Sequence, residues 1–257
     1  MRSILITGAS RGIGRATAVK AAATGLYDRI IINCRQDSAM LEQTAKQMRA
    51  AWGMNSTSPS DQPASSEPNG GGIITSVGDL SDISYVEKLH DETGSVDVII
   101  NNAAISKVGL FIDMSPEEWH EILDTNLTSI YNVCHTFVPD MIKVHDGIIV
   151  NVSSVWGISG ASCEVAYSTV KGAVNTFTKA LAKELAPSNI RVNAIAPGIV
   201  DTEMNANLSD EELAGVCDEV PMGRMAEPDE IADAIMKIVD MPAYMTGEVI
   251  KMDGGWQ

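Results

Sequence analysis

Seven short apolar runs punctuate the chain, at residues 4–7, 30–33, 73–77, 96–100, 148–152, 190–194 and 249–252. They are continuous and rich in Ile and Val rather than alternating with polar residues. Both faces of each predicted strand should therefore be buried, as in a parallel sheet with helices on each side. The segments between them are long enough for crossover helices. Two helix starts are legible. Ser115, Pro116 and Glu118 fit N-cap, N1 and N3 positions. Pro228 is followed by Asp229 and Glu230, acids suited to a first turn. The predicted fold is α/β: a doubly wound, mostly parallel seven-stranded sheet with helices on both faces, forming one domain over residues 1–257.

One segment breaks this rhythm. Residues 53–72 read GMNSTSPSDQPASSEPNGGG, a composition that can bury little and is expected to form a flexible inserted surface loop. It is either a tolerated insertion or a loop for a partner. The charge balance narrows the partners: 34 acidic against 18 basic residues give a net charge of −16. Phosphate backbones and anionic membranes call for Lys and Arg, so neither nucleic acid nor membrane is an expected partner. No run approaches the roughly 20 apolar residues of a membrane span, and the opening run is too short for a signal peptide. Cys34, Cys134, Cys163 and Cys217 form no CxxC pair and the histidines show no ligand spacing. Reduced thiols, no metal and a cytoplasmic location are the expectation.

Between the first strand and first helix lies Thr7-Gly8-Ala9-Ser10-Arg11-Gly12-Ile13-Gly14. Glycines there allow a tight turn and close backbone approach to a pyrophosphate, which the helix N-terminus would also attract. This TGxxxGxG turn is followed by Asn101-Asn102-Ala103-Ala104, Asn126, Ser154, Tyr167-Ser168-Thr169-Val170-Lys171 and Pro197-Gly198. In order and spacing the set resembles the short-chain dehydrogenase/reductase family across nearly the whole chain. The resemblance implies a Rossmann-like fold and an NAD(P)-dependent oxidoreductase acting on CH–OH/C=O groups. It places cofactor contacts at Gly8, Ser10, Arg11, Gly12, Ile13, Gly14, Arg35, Asp79, Leu80, Asn101, Ala103, Tyr167, Lys171, Pro197, Gly198, Val200 and Thr202. Ala104 stands where the family has glycine.

Cofactor choice follows from charge. An NAD enzyme usually has a carboxylate at the end of the second strand for the ribose 2′-OH. Here that position falls on Cys34, followed by Arg35, and Arg11 sits in the glycine turn. Two guanidinium groups suit a dianionic 2′-phosphate, so NADPH/NADP+ is expected. Asp37 is the competing feature, since a small register change would turn it toward the ribose. Asp79 and Leu80 resemble the pair that holds the adenine edge.

Tyr167 and Lys171 are four residues apart on a predicted helix and share a face. A free tyrosine with a pKa of about 10 is a poor acid near neutrality. A nearby ammonium is expected to lower it, making Tyr167 a general acid for carbonyl reduction. Lys171 would also hold the nicotinamide ribose. Ser154 would hydrogen-bond the carbonyl oxygen. Ser153 competes for that role, and the thirteen-residue spacing to Tyr167 favours Ser154. Asn126 matches the family's helix asparagine that positions a water behind the lysine, completing a catalytic set of Asn126, Ser154, Tyr167 and Lys171.

Residues 199–224 fall where the family keeps its substrate lid. Residues 199–223 hold seven acids (Asp201, Glu203, Asp210, Glu211, Glu212, Asp218 and Glu219) and no Lys or Arg. They form either a solvated helix face or a lid that attracts a cationic substrate. The chain resembles 3-oxoacyl-acyl carrier protein reductases, although the basic carrier-docking positions fall on His145 and Ser188. Lys143, Lys179 and Lys183 lie nearby in sequence. It also resembles, through residues 153–167 and Asp253-Gly254-Gly255-Trp256, the reductases of the 5-aminopentanone modification on elongation factor P. The expected substrate is a ketone, either a small molecule or attached to a carrier or protein. A catalytically inactive NADP-binding regulator is the alternative of a different class. The resemblance further implies a homotetramer or homodimer built on the helices around Asn126 and Tyr167.

Overall fold

The computed structural model describes residues 2–55, 72–206 and 209–257. The strands are β1 (Ser3–Ile6), β2 (Arg29–Cys34), β3 (Gly72–Val77), β4 (Val98–Asn101), β5 (Gly147–Val152), β6 (Ile190–Pro197) and β7 (Val249–Met252). Between them run α1 (Gly12–Thr24), α2 (Ser38–Asn55), α3 (Ile83–Thr93), α4 (Pro116–Leu123) and α5 (Ser129–Val144). The rest are α6 (Trp156–Ser159), α7 (Val165–Leu185), α8 (Asp210–Glu219) and α9 (Pro228–Asp240). The strands form one sheet in the order β3-β2-β1-β4-β5-β6-β7. Every pairing is parallel, so the sheet is wholly rather than mostly parallel.

Successive strand residues point to opposite faces, and the two cores divide accordingly. Ile4, Ile6, Ile30 and Ile32 pack with α1, α2 and α9 on one face. Leu5, Ile31, Ile99 and Ile149 pack with α3, α5 and α7 on the other. Each fully buried side chain of this kind contributes about 1.5–3 kcal/mol. Continuous burial holds for the central strands, while β3 and β7 are only partly buried. They are the edges of the sheet, where fewer neighbours cover each strand.

Both legible helix starts are present. Ser115 and Glu118 form a reciprocal capping box at α4, and Pro228 opens α9 with Asp229 and Glu230 in its first turn. The low-complexity segment is shorter than expected at both ends, because α2 runs through Asn55 and Gly72 begins β3. The remainder of that expected loop, 56–71, lies outside the described residues. Among the described residues no helix is long and apolar enough to cross a membrane, and no His/Cys/Asp/Glu cluster could hold a metal. All four cysteines are free.

In this topology the strand order reverses beside β1: β2 lies on one side of it and β4 on the other. The carboxyl ends of these strands form the crevice in which open α/β sheets bind ligands.

Candidate active site

The turn after β1 is built for close approach. A Cβ on Gly8 would stand 2.7 Å from Ala103 Cα, and one on Gly14 would stand 2.2 Å from the Gly8 carbonyl oxygen. Gly8 and Gly12 also adopt left-handed φ values of +64° and +54°. Thr7 locks this turn to the loop after β4: its Oγ1 accepts from the Asn102 and Ala103 N–H groups at 2.9 and 3.0 Å. Asn102 Nδ2 returns bonds to the Thr7 and Gly8 carbonyls at 3.0 and 3.1 Å. Arg15 Nη2 braces the Ser10 carbonyl from α1 at 2.6 Å. The first turn of α1 carries no acid, and its N-cap residue Arg11 provides no side-chain cap. The N–H groups there are left for an anion, so the turn fits a pyrophosphate. Ala104 avoids the left-handed region, so the alanine causes no backbone strain.

On the adenosine side, Cys34 ends β2 as a buried thiol. Burial raises its pKa, so it carries no negative charge near neutrality. Arg35 is half-buried and reaches Glu121 Oε1 and Thr125 Oγ1, each at 3.4 Å. Arg11 is exposed. Asp37 is committed elsewhere: its Oδ1 accepts the Met40 N–H at 2.9 Å, capping α2. The competing carboxylate therefore has a structural task. Asp79 Oδ1 accepts from Ser81 N–H and Oγ at 2.9 and 2.8 Å. Asn132, on α5, fixes this loop through the Leu80 and Ser81 carbonyls, both at 2.9 Å.

On the catalytic side, Ser154 follows β5 and accepts from the Trp156 N–H at 3.2 Å. Ser153 turns the other way and donates to the Lys171 carbonyl at 3.2 Å, which separates the two serines. Gly157 lets α6 press on α7, since a Cβ there would stand 2.6 Å from the Lys171 carbonyl carbon. Asn175 ties the same pair together through the Gly157 carbonyl at 2.9 Å. Tyr167 and Lys171 are both buried. Lys171 Nζ donates to the Val152 carbonyl at 2.8 Å and lies 5.5 Å from the Tyr167 ring centroid.

The expected lowering of the Tyr167 pKa does not appear. Burial pushes it up, the Glu164 carboxylate pushes it further, and a hydrogen bond with Ser154 works against both. Burial also pulls the Lys171 ammonium down to about 8. In this environment, loss of hydration outweighs the attraction expected of the pair.

Asn126 is fully buried on a π-helical turn, Asp124–Thr128, that joins α4 to α5. Such turns recur at functional sites. Both halves of its amide are committed to Ile105: Oδ1 accepts the N–H and Nδ2 donates to the carbonyl, each at 2.8 Å. Asn101 also faces inward. Its Nδ2 donates to Asn151 Oδ1 at 2.9 Å, and Asn151 continues to Thr178 at 2.9 Å. The inward asparagine chain and the braces Arg15, Asn132, Gly157 and Asn175 had no signal in the sequence beyond residue type.

Pro197 ends β6, and its carbonyl accepts the Val155 N–H at 2.9 Å. Gly198 donates to the Met252 carbonyl at 2.9 Å. Val200 is buried and bridges to Ala226. The Thr202 methyl lies 3.1 Å from where a Gly12 Cβ would stand, so Thr202 does come to the glycine turn. A cleft of about 500 Å³ continues outward there, lined by Gly12, Arg15, Asp201, Thr202 and Pro228. In the lid, α8 starts with a Ser209–Glu212 capping box, and Glu219 accepts from Trp256 Nε1 at 3.3 Å. Two of the seven acids thus have structural roles. Residues 207–208 of the lid lie outside the described residues.

The family model for short chain dehydrogenase matches residues 2–213. The oxidoreductase YmfI of Bacillus subtilis (strain 168) is 39% identical over 257 residues, covering 99% of this chain and 98% of that protein. The 3-oxoacyl-[acyl-carrier-protein] reductase FabG of Escherichia coli (strain K12) is 36% identical, with 98% and 95% covered. Among solved structures, a 3-oxoacyl-[acyl-carrier protein] reductase from Brucella melitensis ATCC 23457 superposes with a TM-score of 0.87 at 32% identity, covering 100% of this chain and 91% of that one. A Brucella melitensis reductase of the same name with bound NAD has a TM-score of 0.84 at 31% identity, with the same coverage. With its crevice at the β1/β4 reversal and its matching sequence, the chain belongs to the short-chain dehydrogenase family, NAD(P)(H)-using oxidoreductases that act on CH–OH and C=O groups.

Proposed function

We propose that this chain is an NADPH-dependent reductase that converts a ketone to a secondary alcohol. The observation that carries the reading is the convergence of Ser154, Tyr167 and Lys171 beside the carboxyl end of β5, with Gly157 holding α6 against α7. When bound in the crevice, a dihydronicotinamide would supply the hydride for the carbonyl carbon. Ser154 donates a hydrogen bond to the carbonyl oxygen, where charge develops. Tyr167 gives its phenolic proton to that oxygen. Lys171 holds the ribose and, being easily deprotonated in its buried setting, passes a proton toward Tyr167. Asn126 holds the loop at Ile105, and with its amide committed there, a relay water would rest on backbone groups of the π turn.

Arg11 and Arg35 beside a neutral Cys34 support NADPH over NADH. A 2′-phosphate would replace Glu121 as the partner of Arg35, whose present bonds are long at 3.4 Å. The relatives' names support a 3-oxoacyl thioester as substrate. Docking of an acidic carrier finds less support. His145 and Ser188 stand just before β5 and β6, at the end of the sheet opposite the crevice. A carrier bound there could serve only another copy of the chain, and Lys143 is already paired with Asp140 at 2.7 Å.

The test is NADPH and NADH oxidation, side by side, with acetoacetyl-CoA as a carrier-free β-keto thioester. Turnover with NADPH supports the reading. Tight NADPH binding without turnover of any ketone would favour a cofactor-binding regulator instead.

A further inference from the structure

Residues 253–257 follow β7, and neither the sheet nor the catalytic set accounts for how firmly they are ordered. β7 pairs parallel with β6, with Met252 beside Pro197, so this tail leaves the sheet at the end that carries Ser154 and Gly198. It is a built turn. The Asp253 side chain is 6% exposed, and its carboxylate accepts the Gly255 N–H at 3.0 Å and the Gln257 N–H at 2.9 Å. Gly254 and Gly255 take left-handed φ values of +66° and +87°. The turn presents Trp256 to two elements at once. Its ring meets the Trp156 ring edge-on, with centroids 4.7 Å apart and planes at 61°. Its Nε1 donates to Glu219 Oε2 at 3.3 Å, on the last residue of α8. Trp156 in turn is tied to the catalytic side, because its N–H donates to Ser154 Oγ at 3.2 Å.

The helix on the other side of this contact has little packing of its own. None of the side chains at 211–219 is fully buried. The chain becomes buried just after α8, at Val220, and there it rests on the same tail. A Cβ on Gly254 would stand 2.8 Å from Val220 Cγ1, and Met222 N–H donates to the Gly254 carbonyl at 3.3 Å. A helix that buries so little takes its position from contacts at its ends. We propose that Trp256 is a positioning residue for ketone reduction: with Glu219 it fixes α8 relative to Ser154, and so sets affinity for the ketone. It acts through α8 and not on the reacting carbonyl. Contacts made by α8 would hold the ketone equally before and during hydride transfer, so their loss should appear in KM and leave kcat in place. This rests on the carbonyl-reductase reading and adds a residue to the same site.

Hydrogen exchange and steady-state kinetics test it together. In Trp256→Ala the amides of residues 211–222 should exchange about tenfold faster, while those of α7 keep their wild-type rates. KM for acetoacetyl-CoA should rise about tenfold, with kcat and the NADPH dissociation constant within about twofold of wild type. Trp256→Phe keeps the ring contact and loses only the N–H donor, so its KM should rise less, about threefold. Glu219→Ala should match Trp256→Phe, and the two together should add nothing further, since both remove one bond. NADPH fluorescence titration checks that each variant is folded. Unchanged exchange at 211–222 in Trp256→Ala overturns the proposal. So does a loss that falls on kcat at constant KM, or a Glu219→Ala effect that adds to that of Trp256→Phe. Wild-type protein that binds NADPH but reduces no ketone defeats the carbonyl-reductase reading instead, a failure visible before any variant is made.

Discussion

Tyr167 and Lys171 are both pushed toward their neutral forms by burial, and this has measurable consequences. Tyr167→Phe removes only the transferable proton, so turnover should drop by about 10²-fold or more while NADPH affinity stays within about threefold. Steady-state kinetics and fluorescence titration check the two halves. Burial pulls the Lys171 ammonium down to about 8 from its ordinary 10.5, so between these values the unfolded chain binds more protons. Its cost to folding is then full below about pH 8 and fades as pH rises toward 10.5. Urea melts of the apoprotein should show stability relative to Lys171→Met rising from pH 8 to 10. A flat difference would contradict the burial account. The Ser154, Tyr167 and Lys171 set was legible in the sequence because its spacing is local to one strand end and one helix. The inward turn of Asn101 and the exposure of Glu164 to Ser106 were not, because each depends on a partner brought from a distant element.

Elements carry the site through contacts that leave little slack. The glycine turn and the loop after β4 interlock so closely that Gly14→Ala would set a methyl 2.2 Å from the Gly8 carbonyl oxygen. Since that neighbour is backbone, overpacking should cost about 1–3 kcal/mol, with cofactor affinity falling further than stability. Chemical denaturation and NADPH titration would separate the two losses. The α4 cap is simpler: Ser115→Ala should cost about 1 kcal/mol, and a urea midpoint unchanged from wild type would contradict it. Caps and central strands could be read directly because their signals lie within a few adjacent residues. The π turn at Asp124–Thr128 could not, since nothing in Asp124-Thr125-Asn126-Leu127 marks an extra residue per turn. The partial burial of β3 and β7 also escaped the pattern, because an apolar run does not say whether its strand is central or at an edge.

At the scale of the whole molecule, an all-parallel sheet brings the ends of β1, β2, β4, β5 and β6 to one side. That gathers residues from 7 to 202 into a single crevice. The order of the strands was not visible in the apolar runs, and the family resemblance implied only a Rossmann-like fold, because order depends on which distant strands pair. Val108, Leu110, Phe111 and Ile112, together with Tyr131 on α5 and Val165 on α7, are exposed, and we propose that the chain assembles with copies of itself around these helices, as the resemblance implies. Light scattering should then give the mass of a dimer or tetramer, and a monomer at micromolar concentration would contradict it. The account as a whole stands on one claim, that Tyr167 delivers the proton in an NADPH-driven ketone reduction. The most direct measurement is kcat/KM for NADPH and for NADH with acetoacetyl-CoA, in wild-type protein and Tyr167→Phe. Wild-type protein should use NADPH on the order of tenfold or more better than NADH, and Tyr167→Phe should lose about 10²-fold or more of that turnover. Equal use of NADH would contradict the roles of Arg11 and Arg35, and a Tyr167→Phe turnover close to wild type would contradict the mechanism.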